Sequence, residues 1–205
     1  MTNLFIVIEG LDATGKSTLV ENLVNAMGAK LLFCPPRLEA PGLMEGDLRI
    51  HFDDTPPPIR RAYYQAANLI ASEMATATLE QNHVIMDRYW TSTVAFSAMD
   101  EYHQMAQWNG FYPDSMRPPD VLILLTVDEV NRKIRMDGRG EPTTSEESNL
   151  AQNTERRRAV LEAYRSFSPI EIDTSNLNPQ EVLEIALQIV ESKMNDPIEF
   201  KETTV

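Results

Sequence analysis

The stretch Ile8-Glu9-Gly10-Leu11-Asp12-Ala13-Thr14-Gly15-Lys16-Ser17-Thr18 constrains this chain more than any other. An apolar run, LFIVIE over residues 4–9, stops at Gly10, and Lys16-Ser17 opens a helical stripe of Leu19, Val20, Leu23, Val24 and Met27. Gly10–Ser17 fits G-x-x-x-x-G-K-[ST], and a strand before it with a helix behind it is the context that gives the pattern a physical meaning. Glycines let successive amides point inward around a β-phosphate, and the helix N-terminus adds its positive end. Lys16 reaches the β and γ oxygens, and the Ser17 hydroxyl is placed to ligate Mg²⁺. The pattern implies a nucleoside triphosphate, held by residues 10–18.

A phosphate loop of this kind belongs between a buried parallel strand and its crossover helix, and the rest of the chain supplies such units. AKLLF (29–33), HVIMD (83–87), VLILLTV (121–127) and IEID (170–173) are short apolar runs suited to a sheet covered on both faces. Helical patterns separate them: Gly28 suits a C-cap, Ile59, Tyr63, Ala66, Ile70 and Met74 follow Pro56-Pro57-Pro58, and Val182, Ile185, Ala186 and Ile189 follow Asn178-Pro179. The alternation predicts a doubly wound five-stranded parallel α/β sheet. One domain is expected over 1–195, with a flexible tail at 196–205. Segments 34–55, 100–119 and 137–150 are predicted to be irregular loops or lids.

A net charge of −13 works against a polyanion or phospholipid partner, so phosphate binding has to be local. The single cysteine, Cys34, makes no intramolecular disulfide, no apolar run spans a bilayer, and Met1-Thr2-Asn3 passes straight into LFIVIE, so a cytoplasmic protein is expected. Positive charge gathers at Arg132, Lys133, Arg135, Arg139, Arg156, Arg157, Arg158 and Arg165, either as a solvated helix face or as something aimed at phosphate.

Phosphate loops also serve switch GTPases, but N-K-x-D is missing, and DGRG (137–140) lies too late for a switch region. A second constellation points elsewhere. HVIMDRYW ends a buried strand in Asp87-Arg88-Tyr89, where a carboxylate at the sheet edge can hold Mg²⁺ through water and the adjacent Arg can face phosphate. Asp12, inside the loop, is costly beside polyphosphate unless it meets Mg²⁺, a cation or the acceptor, or anchors the loop.

Gly10–Ser17 with Asp12 inside, Asp87-Arg88-Tyr89 followed by TSTVAFSA, PPDVLILL (118–125) and IDTS (172–175) together resemble the thymidylate kinase family of P-loop nucleoside monophosphate kinases. The resemblance covers roughly residues 4–192, and FDDTPPPIRRAYY, MDRYWTST and GRG bring it closest to the mitochondrial UMP/CMP kinase branch. It implies a homodimeric enzyme that moves the γ-phosphate of ATP to a pyrimidine monophosphate, with Mg²⁺. Lys16 and the loop would hold ATP along with Arg135, Ser17 and Asp87 would flank the metal, and Asp12 and Arg88 would lie at the acceptor phosphate. Tyr64 would stack on the acceptor base, Phe96 would lie under the sugar where a 2'-hydroxyl would come, Asn153 would join the acceptor side, and IDTS would border adenine.

Departures from the family matter as much. Members carry an Arg after the loop Asp or supply one from a lid; Ala13 stands there, so a lid arginine, Arg139 first, would complete the catalytic set. The thymine-reading Arg one turn after the stacking aromatic is Asn68, and FCPPR puts Cys34 nearest the place of the arginine that grips the acceptor phosphate, with Arg37 slightly beyond. Cytosine and uracil acceptors are therefore expected ahead of dTMP, with a dTMP kinase as the alternative. A nucleotide-binding regulator would keep Lys16 but need neither Asp12 nor Arg88.

Overall fold

The computed structural model describes residues 2–36, 47–99, 103–138, 150 and 153–195. Five parallel strands, β1 (Phe5–Gly10), β2 (Lys30–Phe33), β3 (Val84–Asp87), β4 (Val121–Thr126) and β5 (Ile170–Asp173), lie in the order β2-β3-β1-β4-β5. The expected strands are all present, with no end shifted by more than one residue. Because β1 is central, the chain builds one half of the sheet on its β3 side and then crosses to its β4 side. A crevice opens at that switch point, beyond the carboxyl ends of the strands.

Period-two alternation divides β1 between two cores. Ile6 and Ile8 join Leu19, Leu23, Ile123, Val182 and Ala186 beneath α1 (Lys16–Met27) and the C-terminal helix Pro179–Asn195. Phe5 and Val7 join Ala71, Ala75, Trp90 and Val94 on the opposite face, beneath α3 (Pro57–Thr78) and α4 (Trp90–Met99). Gly28 ends α1 in the left-handed region, φ 61°, as its C-cap. Two further helices, α5 (Glu129–Asp137) and α6 (Thr154–Arg165), flank the segment expected to form a lid; the C-terminal helix is α7.

Two expectations need correction. Segment 34–55 contains a short helix, α2 (Asp47–Asp53), and segment 100–119 contains a 3₁₀ turn, His103–Trp108. The stripe drawn on α3 is also rotated. Tyr63 is buried, but Ile59, Ala66 and Ile70 face outward, while Arg61, Ala67, Asn68, Ala71, Ser72 and Ala75 face in. Small residues at 67, 71 and 75 let the helix sit close to the sheet, and that packing outweighs the hydrophobicity of the isoleucines.

Gly10 shows how tightly β1 meets the loop. At φ 152° it occupies backbone space that favours glycine, and a Cβ there would lie 2.7 Å from the Leu125 carbonyl oxygen and 2.9 Å from Thr14 Oγ1. Gly10→Ala should therefore destabilise the fold by about 1–3 kcal/mol. A calorimetric midpoint equal to that of the wild type would show that the strand end gives way freely.

Candidate active site

The loop between β1 and α1 is shaped by backbone that few residues adopt. Ala13 (φ 64°) and Gly15 (φ 90°) both lie in the left-handed region, and the Thr14 hydroxyl donates to the Leu11 carbonyl at 2.8 Å. Two clamps hold the loop from outside. Arg135, in the last turn of α5, donates to the Ala13 carbonyl at 3.3 Å and to Thr174 Oγ1 and O at 2.9 and 2.6 Å. Thr174 in turn donates to the Thr14 carbonyl at 3.0 Å.

A cavity of about 320 Å³ opens beside this clamp, walled by Thr14, Gly15, Thr18, Arg135, Thr174 and Val182 among others. Arg135, Thr18 and the threonine of IDTS, reached separately from the sequence, thus line one space. Leu19, Leu177, Pro179 and Val182 make much of its wall apolar, which suits the flat face of a base.

On the other side of the loop, charge is organised in pairs. Lys16 Nζ lies 3.1 Å from Asp87 Oδ1 at the end of β3. Burial lowers the pKa of Lys16 and the neighbouring Arg88 lowers it further, while Asp87 and Asp12 pull it back up. Arg88 follows in the left-handed region, φ 65°, with its amide bound to the Ile8 carbonyl at 3.1 Å. Its guanidinium reaches Asp12 Oδ1 at 3.2 Å and lies 5.3 Å from the Phe96 ring centroid. Burial works against that charge, yet Tyr164, Asp12, Glu9 and Asp87 together raise its pKa. Asp12 is thus in contact with an arginine, one of the partners expected for a carboxylate at that place.

Asp87 Oδ1 is buried and, apart from the Lys16 ammonium, meets no donor among the described residues. Ser17 is exposed in the first turn of α1. Among the described residues no cluster of three or more His, Cys, Asp or Glu side chains forms a metal cage. One carboxylate and one hydroxyl beside a phosphate loop is the donor set that Mg²⁺ uses when phosphates and water complete its shell, so these residues fit that ion.

The remaining expected residues divide. Tyr64 hydrogen-bonds Asp53 Oδ1 at 2.6 Å, which ties it to α2, and the Arg61 guanidinium lies 5.9 Å from its ring centroid. Asn68 is fully buried: Nδ2 donates to the Tyr64 carbonyl and to Thr93 Oγ1, each at 2.7 Å, and Oδ1 accepts from Cys34 Sγ at 3.3 Å. Asn153 caps α6, its Oδ1 accepting from the Arg156 amide at 3.0 Å. Arg37 and Arg139, with nearly all of the expected lid, lie outside the described residues. Part of the arginine cluster is held by Glu129, which binds Arg132 through Nε and Nη2, both at 2.9 Å, and Arg157 at 3.4 Å.

Sequence reasoning missed Glu9. It stands on the interior face of β1 and is 1% exposed, its carboxylate turned onto the start of α4. The available signal was the alternation itself, which puts residue 9 on the same buried face as Phe5 and Val7.

The chain matches the thymidylate kinase family over residues 8–184. It is 33% identical to human UMP-CMP kinase 2, mitochondrial, in an alignment that takes in 94% of this chain and 43% of that protein. It is 29% identical to the thymidylate kinase of Xanthomonas euvesicatoria pv. vesicatoria, over 78% of this chain and 71% of the relative. The chain thus spans less than half the length of the human relative. Among solved structures it superimposes on thymidylate kinase from Candida albicans with a TM-score of 0.72 at 18% identity, covering 95% and 93% of the two chains. Deoxyadenosine kinase from M. mycoides, solved with bound dATP, gives 0.63 at 16%, covering 92% and 100%. At these identities the two structures speak for the fold, while the match over residues 8–184 carries the relationship: this chain belongs to the thymidylate kinase family.

Proposed function

We propose that the protein is an ATP-dependent nucleoside monophosphate kinase that uses pyrimidine acceptors of the UMP/CMP type, including dUMP and dCMP. The observation that carries this is the arrangement on the two sides of the phosphate loop. The Arg135–Thr174 cavity lies on one side, with room for the donor base, and the Arg88–Asp12 pair faces the other, with Lys16 between them. An acceptor phosphate oxygen attacks the γ-phosphorus, a new P–O bond forms as the bond to the β–γ bridging oxygen breaks, and ADP leaves. Loop amides and Lys16 take the developing charge on the donor, and Arg88 orients the acceptor phosphate. Mg²⁺ held near Ser17 and Asp87 would neutralise polyphosphate charge. Ala13 leaves no arginine inside the loop, so the lid supplies one, with Arg139 as first choice.

A homodimer and a cytoplasmic setting complete the proposal. α3 presents Ile59, Leu69 and Ile70 outward, the kind of apolar face that a second copy covers, and among the described residues no helix is long and apolar enough to cross a membrane.

The test is to incubate the protein with ATP, Mg²⁺ and each monophosphate in turn and to look for diphosphate. CMP, UMP and their deoxy forms should be converted, with dTMP poorer; a clear preference for dTMP would replace this reading with a dTMP kinase. Asn68 is the residue assigned to the base. Both of its amide protons are given away and Oδ1 accepts from Cys34 Sγ, so its remaining lone pair is what it could offer, which favours an amino group at C4. Asn68→Arg turns that position into donors only, and dCMP should lose about 1–3 kcal/mol of kcat/KM relative to dUMP. An unchanged dCMP-to-dUMP ratio would show that Asn68 does not influence the base.

A further inference from the structure

Glu9 occupies a place where β1 should bury an apolar side chain. Oε1 accepts from the Tyr89 amide at 2.9 Å, from the Ser92 amide at 3.2 Å and from the Thr91 hydroxyl; Oε2 accepts from the Ser92 hydroxyl at 2.6 Å. The first turn of α4 contains no acidic residue of its own, so a carboxylate from the central strand caps it. These contacts fix the chain immediately after Arg88, whose own amide bonds to the Ile8 carbonyl at 3.1 Å and whose left-handed φ of 65° is backbone that neighbouring bonds have to hold.

The hydroxyls extend the arrangement to the guanidinium. With its proton given to Glu9, Ser92 Oγ has only lone pairs for Tyr164 Oη at 2.8 Å and Arg88 Nη1 at 3.3 Å. Tyr164 must then point its own proton at Ser92, which leaves its oxygen to accept from Arg88 Nη1 at 3.3 Å. Every donor along the chain Arg88, Tyr164, Ser92 points toward Glu9. A carboxylate at the far end sets that direction, and the direction lets both hydroxyl oxygens face the arginine.

We infer that Glu9 is a positioning residue for the acceptor phosphate. It acts through Arg88, fixing that residue's backbone by capping α4 and aiming its guanidinium through Ser92 and Tyr164. The inference rests on the proposed role of Arg88 at the acceptor. It ties the strand that carries the donor loop to the turn that grips the acceptor, so one buried side chain sets the geometry between the substrates.

Glu9→Gln keeps the shape, but with the two backbone N–H groups holding the Oε1 side its NH₂ falls at the Oε2 side against the Ser92 hydroxyl, which must then accept, and that forces part of the hydroxyl chain to reverse toward Arg88. With dCMP and UMP as acceptors, kcat/KM for the acceptor should fall about 10- to 100-fold. The dissociation constant for ATP, which Arg88 does not hold, should change little. Ser92→Ala and Tyr164→Phe leave the contacts of Glu9 with the Tyr89 and Ser92 amides in place and should show the same acceptor-selective loss, so they decide the matter if Glu9→Gln does not fold. Because the effect runs through Arg88, Ser92→Ala added to Arg88→Ala should cost little more than Arg88→Ala alone. Equal losses for ATP and acceptor, no loss at all, or full additivity with Arg88→Ala would overturn the inference. If Arg88→Ala itself spares the acceptor kcat/KM, the proposed function of Arg88 fails and this inference falls with it. If Arg88→Ala is damaging while Glu9→Gln, Ser92→Ala and Tyr164→Phe are silent, only this inference fails.

Discussion

Lys16→Ala should reduce phosphoryl transfer by about a thousandfold or more while the protein stays folded. Lys16 belongs to neither apolar core; its ammonium lies in the gap between the loop and the end of β3, paired with Asp87 at 3.1 Å. Burial and the nearby Arg88 both lower its pKa, while Asp87 and Asp12 oppose that shift. Removing the ammonium therefore does more than delete one contact to phosphate. It leaves Asp87, whose Oδ1 meets no other donor among the described residues, without its cation beside the proposed polyphosphate site. Steady-state turnover with ATP and CMP checks this, together with a thermal midpoint to confirm folding. Activity within tenfold of the wild type would remove Lys16 from the reacting groups and undo the reading of the loop.

The shape of the loop was legible because it makes local demands that sequence records directly: glycines where φ is positive, a lysine at a helix start, and an apolar strand before them. Asp87-Arg88 was legible for the same reason, standing where a buried run ends. What escaped depends on tertiary contact. α2 is a short helix, below the length at which a helix holds itself, and it rests on Phe52 stacked 4.6 Å from Tyr63 and on the Asp53–Tyr64 bond. The inward face of α3 could not be read from hydrophobicity because close approach to the sheet selects small residues and a buried Asn68 over isoleucine. Pattern alone gives no way to tell a solvated arginine from one held by Glu129, and Arg132 and Arg157 are the held kind. Glu9 escaped for the opposite reason: a charge at a strand end reads as the place where burial stops, and its compensating donors lie some eighty residues away.

Arg88→Lys keeps the charge and should still lower kcat/KM for the monophosphate acceptor by about a thousandfold. The two side chains differ in how many directions they can serve at once. The guanidinium reaches Asp12 through Nη2 and both Ser92 and Tyr164 through Nη1, while its central carbon lies over the Phe96 ring; what remains of the fork is aimed by those contacts. A lysine ammonium is a point charge on a flexible stem, and pairing with Asp12 would draw it toward the loop and away from an acceptor phosphate. Lysine and arginine meet the same backbone cost at φ 65°, so the comparison isolates side-chain geometry from strain. The affinity for ATP should stay near that of the wild type, since Lys16 and the loop amides are untouched. Kinetics with dCMP varied at saturating ATP, beside a separate ATP titration, distinguish the cases. A lysine variant within tenfold of the wild type would mean that positive charge alone suffices there, and the hydroxyl and carboxylate network around Arg88 would then serve the stability of the α4 turn and not the transfer of phosphate.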